Sequence, residues 1–393
     1  MTTTDIITRT ELVNRAKALV PTLQEHANWN EDHQRLHEES IAALKQAGFL
    51  RLRTPKRYGG YEVNTRTLVE VLAEIGQGDG STAWVAWVLA GNTWLIGCLP
   101  DAVQDEVFAT PDALVSGTLA PTGKLESRNG GFVLNGGWHF HSGALHSQWS
   151  MLAAMSITPE GGPAPMVALV PTAALENLDD WDTSGLKGTG SVSSLAHDIF
   201  VPAKHVFSVI SLLQGQSASE LNAGAEIYRT PMIPTIGAAA SGTPLGLAKA
   251  ALANFFQRLP ERGIAYTTYS RQAEAPITHL QVAEAAMKID EAEFHSYRAA
   301  DLVDAKAASG EAWTLVERTR VRMDTAMTAR LAKEAIDILN TASGGSSIYR
   351  KVPIQRIARD IQAANLQGMI QPTTNLELYG RILCGLEPNT VNI

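Results

Sequence analysis

One short stretch, residues 136–143, combines the residue types of a ligand-binding loop and consists of Gly-Gly-Trp-His-Phe-His-Ser-Gly. The hydroxyl of Ser142 can both donate and accept a hydrogen bond. Gly143 lets the backbone approach a planar ligand closely, because glycine has no Cβ. The same residues are also compatible with an ordinary hairpin that packs through its aromatic side chains. The stretch is therefore a candidate binding loop whose assignment depends on the rest of the chain.

The residues just before this loop predict a β-hairpin. Residues 132–134, Phe-Val-Leu, form a short strand-prone run, and Asn135-Gly136 after them is a strong signal for a tight turn. A second strand would then run to a break at Ser142-Gly143. The hairpin is expected to present the candidate loop at its end.

Side chains alternate between the two faces of a strand, so this second strand predicts two sets of neighbours. Trp138, Phe140 and Ser142 would share one face. His139 and His141 would point the other way, towards solvent or an interface.

Composition bounds the class of protein. The chain has 393 residues, 45% apolar and 18% charged, which predicts a soluble globular protein of two or three domains. Its net charge of −8 argues against nucleic-acid binding. Only Cys98 and Cys384 are present, so neither a disulfide framework nor a zinc site is indicated, and a cytoplasmic location is expected. Residues 80–100 carry no charge, but their scattered tryptophans favour a buried helix over a membrane span.

The chain divides into three segments by the period of its apolar residues. Residues 1–110 have helical spacing and predict an N-terminal helical domain. Residues 111–215 contain short β-rich runs between turn residues and predict an antiparallel β domain. Residues 216–393 predict a C-terminal four-helix bundle, with helices that include about 311–339 and 353–369. The fold class is therefore α+β and multidomain.

Four motifs, in order along the chain, resemble one known family. They are residues 80–84 (Gly-Ser-Thr-Ala-Trp), 136–149 (Gly-Gly-Trp-x-Phe-x-Ser-Gly-x-x-His-x-x-Trp), 185–191 (Gly-Leu-Lys-Gly-Thr-Gly-Ser) and 353–360, which ends in Arg-Asp. Together they resemble the oxygenase components of group D two-component flavin-dependent monooxygenases. That resemblance implies the acyl-CoA dehydrogenase arrangement of helical domain, β domain and bundle.

The resemblance also implies a cofactor site for reduced FAD or reduced FMN between the β domain and the bundle. Ser142 matches the serine near flavin N5 and C4a, and it is the candidate catalytic residue. The other implied contacts come from the β domain and from the bundle. The full implied cofactor set is Trp138, Phe140, Ser142, Gly143, Thr189, Gly190, Ser191, Arg271, Ser343, Gly344 and Arg359.

Two missing features separate this chain from dehydrogenases. The carboxylate base that acyl-CoA dehydrogenases require is missing, since Gln367-Gly368 stands where the family has Glu-Gly. No Gly-x-Gly-x-x-Gly dinucleotide fingerprint is present. A separate NAD(P)H-dependent reductase is therefore expected to supply the reduced flavin. Oxygen would then give a flavin C4a-hydroperoxide that hydroxylates the substrate.

The implied substrate pocket is aromatic. Trp84, Trp87 and Trp94 are spaced to share one helical face and, with Phe140, would line a dry cavity, although core packing also explains such a stripe. Thr118 is a further candidate substrate contact.

Two amide residues indicate which aromatic substrate is preferred. Asn92 and Gln367 align with histidines of phenol hydroxylases, and an amide cannot act as a base. An indole-like molecule, such as a secondary metabolite, is therefore favoured over a phenol.

Three alternatives remain open. The same scaffold supports N-hydroxylases that convert an amino sugar to a nitroso compound, but a tryptophan-rich pocket suits a sugar poorly. An acyl-CoA dehydrogenase lacks its base here, and a non-enzymatic helical adaptor would not need the serine- and threonine-bearing glycine loops. The resemblance further implies a homodimer or homotetramer, because the family arginine matched by Arg271 reaches the flavin of a neighbouring subunit.

Overall fold

The structure, a computed structural model, describes residues 7–157 and 162–393. Its first part is helical. Thr8 and Asp79 begin two of these helices by accepting backbone N–H groups at their N-termini, as N-cap residues do. The helices are α1 (Arg9–His33), α2 (Glu38–Gln46), α3 (Thr65–Gly78), α4 (Gly80–Gly97) and α5 (Asp101–Val107).

Helix α4 is the uncharged segment of the sequence, and it lies inside the protein. Asp79 Oδ2 accepts hydrogen bonds from both the backbone N–H and the hydroxyl of Thr82, which fixes the start of the helix. Within the described residues, no helix combines the length and apolarity required to cross a bilayer.

The middle of the chain forms one mixed sheet of seven strands in the order β5-β6-β2-β1-β3-β4-β7. All pairs are antiparallel except β1–β3, which is parallel and departs from the antiparallel expectation. The strands are β1 (Val115–Arg128), β2 (Gly131–Trp138), β3 (Trp149–Ile157), β4 (Pro163–Pro171), β5 (Glu176–Asn177), β6 (Ser194–Pro202) and β7 (Val206–Ser208).

The predicted turn at Asn135-Gly136 is wrong, because both residues lie within β2 at a register shift against β6. The turn that joins β1 to β2 is at residues 129–130. Gly136 is needed for close approach: with φ 149°, a Cβ there would lie 2.6 Å from the Cα of Gly123 in β1. Glycine is required at position 136 by the contact between β2 and β1, and the local sequence pattern could not reveal that contact.

The last part of the chain is helical and confirms the fold class. Three long helices of 17, 34 and 28 residues are present, together with shorter ones. The predicted helix from about 353 to 369 ends earlier, at Ala364. The helices are α6 (Val209–Leu213), α7 (Met232–Ala240), α8 (Gly242–Arg258), α9 (Pro276–Ser309), α10 (Leu315–Ala342), α11 (Pro353–Ala364) and α12 (Pro372–Leu383).

Helix α4 belongs to two hydrophobic cores. Trp84 and Trp87 pack in the core formed mainly by the helices, with ring centroids 4.9 Å apart. Trp94 packs in a second core with Met151 and Ala153 of β3, and its indole N–H donates to the Ile227 carbonyl. The prediction that Trp94 lines a pocket with the other two tryptophans is therefore wrong.

Candidate functional site

Strand β2 ends at Trp138, so the expected alternation of side chains between the two faces of the strand also ends there. Trp138 is fully buried in the core of the sheet, and its indole N–H donates to the Ala153 carbonyl at 2.7 Å. Phe140 adopts a left-handed conformation, φ 58°, and is 72% exposed, with its ring edge-to-face to Trp181. The prediction that Trp138, Phe140 and Ser142 share a face is wrong, and Trp138 supports the loop from inside the sheet.

His141 is buried, contrary to the expectation that it faces solvent. Its Nε2 lies 2.9 Å from the Ser116 hydroxyl, and its Nδ1 lies 2.7 Å from the Ser194 hydroxyl. Burial lowers the pKa of His141 to about 4, so the ring is neutral at pH 7. His139 is exposed, as expected, and bonds to Ser193. His141 thus ties the candidate loop to strands β1 and β6.

The hydroxyls predicted from two separate motifs meet in the structure. Ser142 Oγ lies 2.6 Å from Ser191 Oγ, which lies 2.8 Å from Thr189 Oγ1. The Thr189 hydroxyl in turn donates to the Leu186 carbonyl at 2.8 Å. Gly190 has φ 53° and separates the two hydroxyl residues within a tight loop. We call Ser142, Ser191, Thr189 and the Leu186 carbonyl the hydroxyl chain.

The loop that carries the hydroxyl chain is anchored by a buried carboxylate. Asp360 Oδ1 accepts the Leu186 N–H at 2.6 Å. Burial, with the Asp79 carboxylate nearby, raises the pKa of Asp360 to about 7. Arg359 donates to the Ser184 carbonyl and forms an ion pair with Glu31.

Arg359 also lines two adjoining surface cavities of about 410 and 460 Å³. It was predicted as a cofactor contact, whereas the structure places it at the outer side of the loop. Its cofactor role stays a prediction.

Helix α4 lies directly against the loop. The side chain of Leu89 lies beside Gly143, where an added Cβ would be 3.0 Å from Cδ2 of Leu89. Gly143 has φ 83° and therefore lies in the left-handed region. Asn92 is buried, donates its amide N–H to the Val88 carbonyl, and places its Oδ1 against Gly117.

Two other predicted substrate contacts lie near these elements. Thr118, half-buried, follows Gly117 in β1 at the start of a register shift. Gln367, half-buried, accepts the Met369 N–H in the turn after α11. The sulfur of Met369 lies near Gly237 of α7, and the preceding residue of that helix, Ile236, accepts the Trp87 indole N–H. Helix α7 therefore links the Gln367 turn to α4.

A second group of predicted residues, Ser343 and Gly344, follows helix α10. Ser343 is buried and its hydroxyl donates to the Leu339 carbonyl. Gly344 has φ 61°, and a Cβ there would lie 3.0 Å from the guanidinium of Arg262. Arg258 donates to the Ser346 hydroxyl, while its buried Nη1 has no partner. These residues form a cationic cluster suited to a phosphate.

Neither Arg258 nor Arg262 has an ion-pair partner among residues 7–157 and 162–393, and burial together with Arg258 lowers the pKa of Arg262. Arg271, the predicted cofactor residue, is instead exposed and paired with Glu274 at 2.8 Å. Its cofactor role stays a prediction. The sequence analysis missed Arg258 and Arg262, although two arginines four residues apart around the end of a long helix were visible.

The hydroxyl and guanidinium groups are of the types that bind a flavin ring and its phosphate. The hydroxyl chain offers hydrogen-bonding oxygens beside the exposed ring of Phe140, and the unpaired arginines offer charge for a phosphate. The order of helical, β and helical parts is that of the acyl-CoA dehydrogenase fold. Residues 11–99 match the acyl-CoA dehydrogenase N-terminal domain, and residues 238–372 match the acyl-CoA dehydrogenase C-terminal domain.

Comparison with individual proteins narrows the class. The chain is 30% identical to the oxygenase component of an FADH(2)-dependent resorcinol hydroxylase from Rhizobium sp. (strain MTP-10005), over 96% of this chain and 95% of the relative. It is similar to the structure of XiaF from Streptomyces sp. in complex with FADH2 and glycerol, with TM-score 0.92, 32% identity and 97% of both chains covered. Indole-3-acetate monooxygenase from Acinetobacter baumannii is 27% identical over 89% of this chain and 88% of the relative.

The chain therefore belongs to the family of flavin-dependent oxygenase components with the acyl-CoA dehydrogenase fold. It is a monooxygenase that uses reduced flavin, with molecular oxygen as co-substrate. The resemblance drawn from the four motifs is confirmed. The non-enzymatic adaptor alternative is wrong.

Proposed function

We propose that this protein is the oxygenase component of a two-component system and hydroxylates an aromatic, indole-like small molecule. The observation that carries the proposal is the position of α4: Leu89 contacts Gly143 of the candidate loop, and Trp84 and Trp87 lie on the same helix. Aromatic walls favour a planar substrate, and exclusion of water protects reactive oxygen species. A separate NAD(P)H-dependent reductase supplies the reduced flavin.

The choice of indole over phenol is supported by Asn92. The amide nitrogen of Asn92 donates to the Val88 carbonyl, and this hydrogen bond fixes the orientation of the amide. The amide oxygen, Oδ1, therefore lies against Gly117. An amide oxygen accepts an N–H or O–H but cannot remove a proton at pH 7. An indole needs only to be oriented, and orientation alone contributes up to about 7–11 kcal/mol in favourable cases. The names of the relatives include both an indole-3-acetate and a resorcinol enzyme, so both ring types require comparison.

The test is a substrate comparison with chemically reduced FAD or FMN and oxygen. We expect indole to be oxidised, with blue indigo as the visible product, and simple phenols at equal concentration to react more slowly. NADH without a reductase should support no turnover. Turnover of 4-hydroxyphenyl compounds with untouched indoles would contradict the substrate assignment. A nitroso product from an amino sugar would favour the N-hydroxylase alternative.

We further propose that Arg258 and Arg262 hold the phosphate of the flavin. Replacing Arg262 with alanine should weaken FMN binding by roughly 10- to 100-fold, because a charged hydrogen bond of about 1.5–3 kcal/mol is lost. Riboflavin, which has no phosphate, should bind both proteins equally. Arg271→Ala is the matched control and should change FMN affinity little. The reverse order of the two variants would show that Arg271 carries the contact.

The protein is also proposed to form a homodimer or homotetramer. Helix α9 exposes four apolar side chains at positions 277, 280, 287 and 294, spaced by three, seven and seven residues along one face. Their exposed fractions range from 56% to 72%. A second copy of the chain would bury this stripe, because contiguous exposed apolar surface generally marks a site of protein–protein contact.

A further inference from the structure

Three successive residues at the start of the loop that carries the hydroxyl chain are docked onto helix α11. The Ser184 carbonyl accepts a hydrogen bond from the Arg359 guanidinium at 2.7 Å. Gly185 lies against the backbone of the same arginine, since an added Cβ would be 2.1 Å from the Arg359 carbonyl oxygen. The Leu186 N–H donates to Asp360 Oδ1 at 2.6 Å. The fit between this segment and α11 therefore depends on both backbone shape and hydrogen bonding.

Leu186 holds a backbone conformation that is unfavourable for leucine, with φ 51° in the left-handed region. Its carbonyl accepts the Thr189 N–H at 3.1 Å, the Thr189 hydroxyl at 2.8 Å and the Trp181 indole N–H at 3.3 Å. Its own N–H is held by Asp360. The bond to Asp360 therefore helps to offset the cost of this conformation and fixes the start of the hydroxyl chain.

The rest of the loop is packed as closely on its other side. An added Cβ at Gly188 would lie 2.8 Å from the Cβ of Asn30 in α1 and 3.1 Å from the Ser81 side chain in α4. Beyond Gly188, the loop presents Ser191 to Ser142 at 2.6 Å. Because the loop has no free space towards α1 and α4, a shift at its start would also displace Ser191.

The side chain that holds the start of the loop lies in a buried cluster of charges. Asp360 is 2% exposed and faces a second buried carboxylate, that of Asp79 at the start of α4. The cations that face it, Arg356 and Arg359, come from its own helix, and the second of them pairs with Glu31 of α1. Burial and the Asp79 carboxylate raise the pKa of Asp360 to about 7, against the opposing effect of the two arginines. Asp360 therefore changes its charge near neutral pH.

We propose that Asp360 is a positioning residue for the monooxygenase reaction, because its hydrogen bond to Leu186 holds the hydroxyl chain in its working position. The inference rests on the proposed function, since it requires the hydroxyl chain to lie beside the reacting groups. Asp360 acts through the loop and does not itself contact flavin or substrate. A carboxyl or amide oxygen at position 360 can accept the Leu186 N–H, whereas an alkyl side chain cannot.

The test compares Asp360→Ala with the isosteric Asp360→Asn. Alanine should lower the product formed per oxygen consumed about tenfold, the effect of losing one hydrogen bond, and asparagine should restore the wild-type value. A 5-fluorotryptophan label at Trp181, assigned with Trp181→Phe, reports the loop by ¹⁹F NMR, and its signal should move in the alanine variant. Asp324→Asn is the matched control, since this buried carboxylate bonds to His295 and Arg298 of α9, and it should change neither readout.

A pH titration of the same signal keeps the test decisive if the alanine variant folds poorly. In the wild type the Trp181 signal should titrate near pH 7 with the charge of Asp360, and in Asp360→Asn this titration should be lost. Equal titration in both proteins, or in neither, would overturn the inference.

The inference would also be overturned if the Trp181 signal moved in Asp360→Ala while product per oxygen stayed at the wild-type value. The proposed function would survive that result, because the wild type would still hydroxylate its substrate. A wild type that hydroxylates no aromatic molecule is a failure of the proposed function itself, and it is seen without any variant.

Discussion

Replacing Ser142 with alanine is expected to uncouple oxygen consumption from product formation. The variant loses the hydroxyl at the end of the hydroxyl chain, 2.6 Å from Ser191. In the loop from Phe140 to Gly143, the only other polar side chain is that of His141, which is buried. A hydrogen bond to a group that develops charge contributes about 1.5–3 kcal/mol, and the variant loses it. Product yield per oxygen should then fall roughly 10- to 100-fold, with hydrogen peroxide released instead.

The measurement is product and peroxide per oxygen consumed, with reduced flavin supplied in single-turnover mixing. Ser193→Ala is the matched control, since the Ser193 hydroxyl bonds to the exposed His139 and lies outside the hydroxyl chain. Its coupling should equal that of the wild type. If Ser142→Ala also couples normally, Ser142 is not the residue that contacts the flavin ring.

The second large effect is expected on stability, from His141→Ala. The substitution empties a fully buried site and leaves the hydroxyls of Ser116 and Ser194 without their ring partner. Cavity formation and the loss of two buried hydrogen bonds together should lower the free energy of unfolding by about 2–4 kcal/mol. His139→Ala, at an exposed position two residues away, should change it by less than about 0.5 kcal/mol. Urea unfolding at pH 7.5 measures both.

The same histidine should make stability depend on pH. Burial lowers the pKa of His141 to about 4, below the value of about 6.5 expected in the unfolded chain. Its contribution is therefore complete above pH 6.5 and is lost as the pH falls towards 4, because the unfolded state binds the proton more readily. Burial and Arg35 lower the pKa of His146 to about 4 as well, so the two add. A decline of at most about 1.4 kcal/mol per pH unit for each histidine is expected over this window.

His141→Ala should reduce that pH slope, while His139→Ala should leave it unchanged. Equal slopes in all three proteins would mean that the buried ring does not control acid sensitivity.

Sequence patterns predicted the order of the three parts of this fold because helical and strand periods are local. The predicted helix at residues 80–100 is present as α4, since an uncharged segment of that length has to be buried. Motif resemblance located Ser142, Thr189 and Ser191, and the structure joins them across 49 residues of sequence. Their mutual contact could not be derived from spacing, because it depends on how β2 and the 185–191 loop approach each other.

The failures have a common physical origin in positions where tertiary contacts override local preference. Asn135-Gly136 favours a tight turn, but Gly136 serves the close approach of Gly123 inside the sheet. The left-handed Phe140 ends the alternation that would have turned His141 outward. Nothing in the period of the residues signals such a φ value, so the burial of His141 was not predictable.

The division of α4 between two cores bears on how the protein loses its structure. Trp84 and Trp87 are buried with the helices, and Trp94 is buried with the sheet, on one continuous helix. Opening either core exposes at least one buried indole to water. It also destabilises the other core, because both cores pack against the same helix. We therefore expect the helical and β parts joined by α4 to lose their structure together.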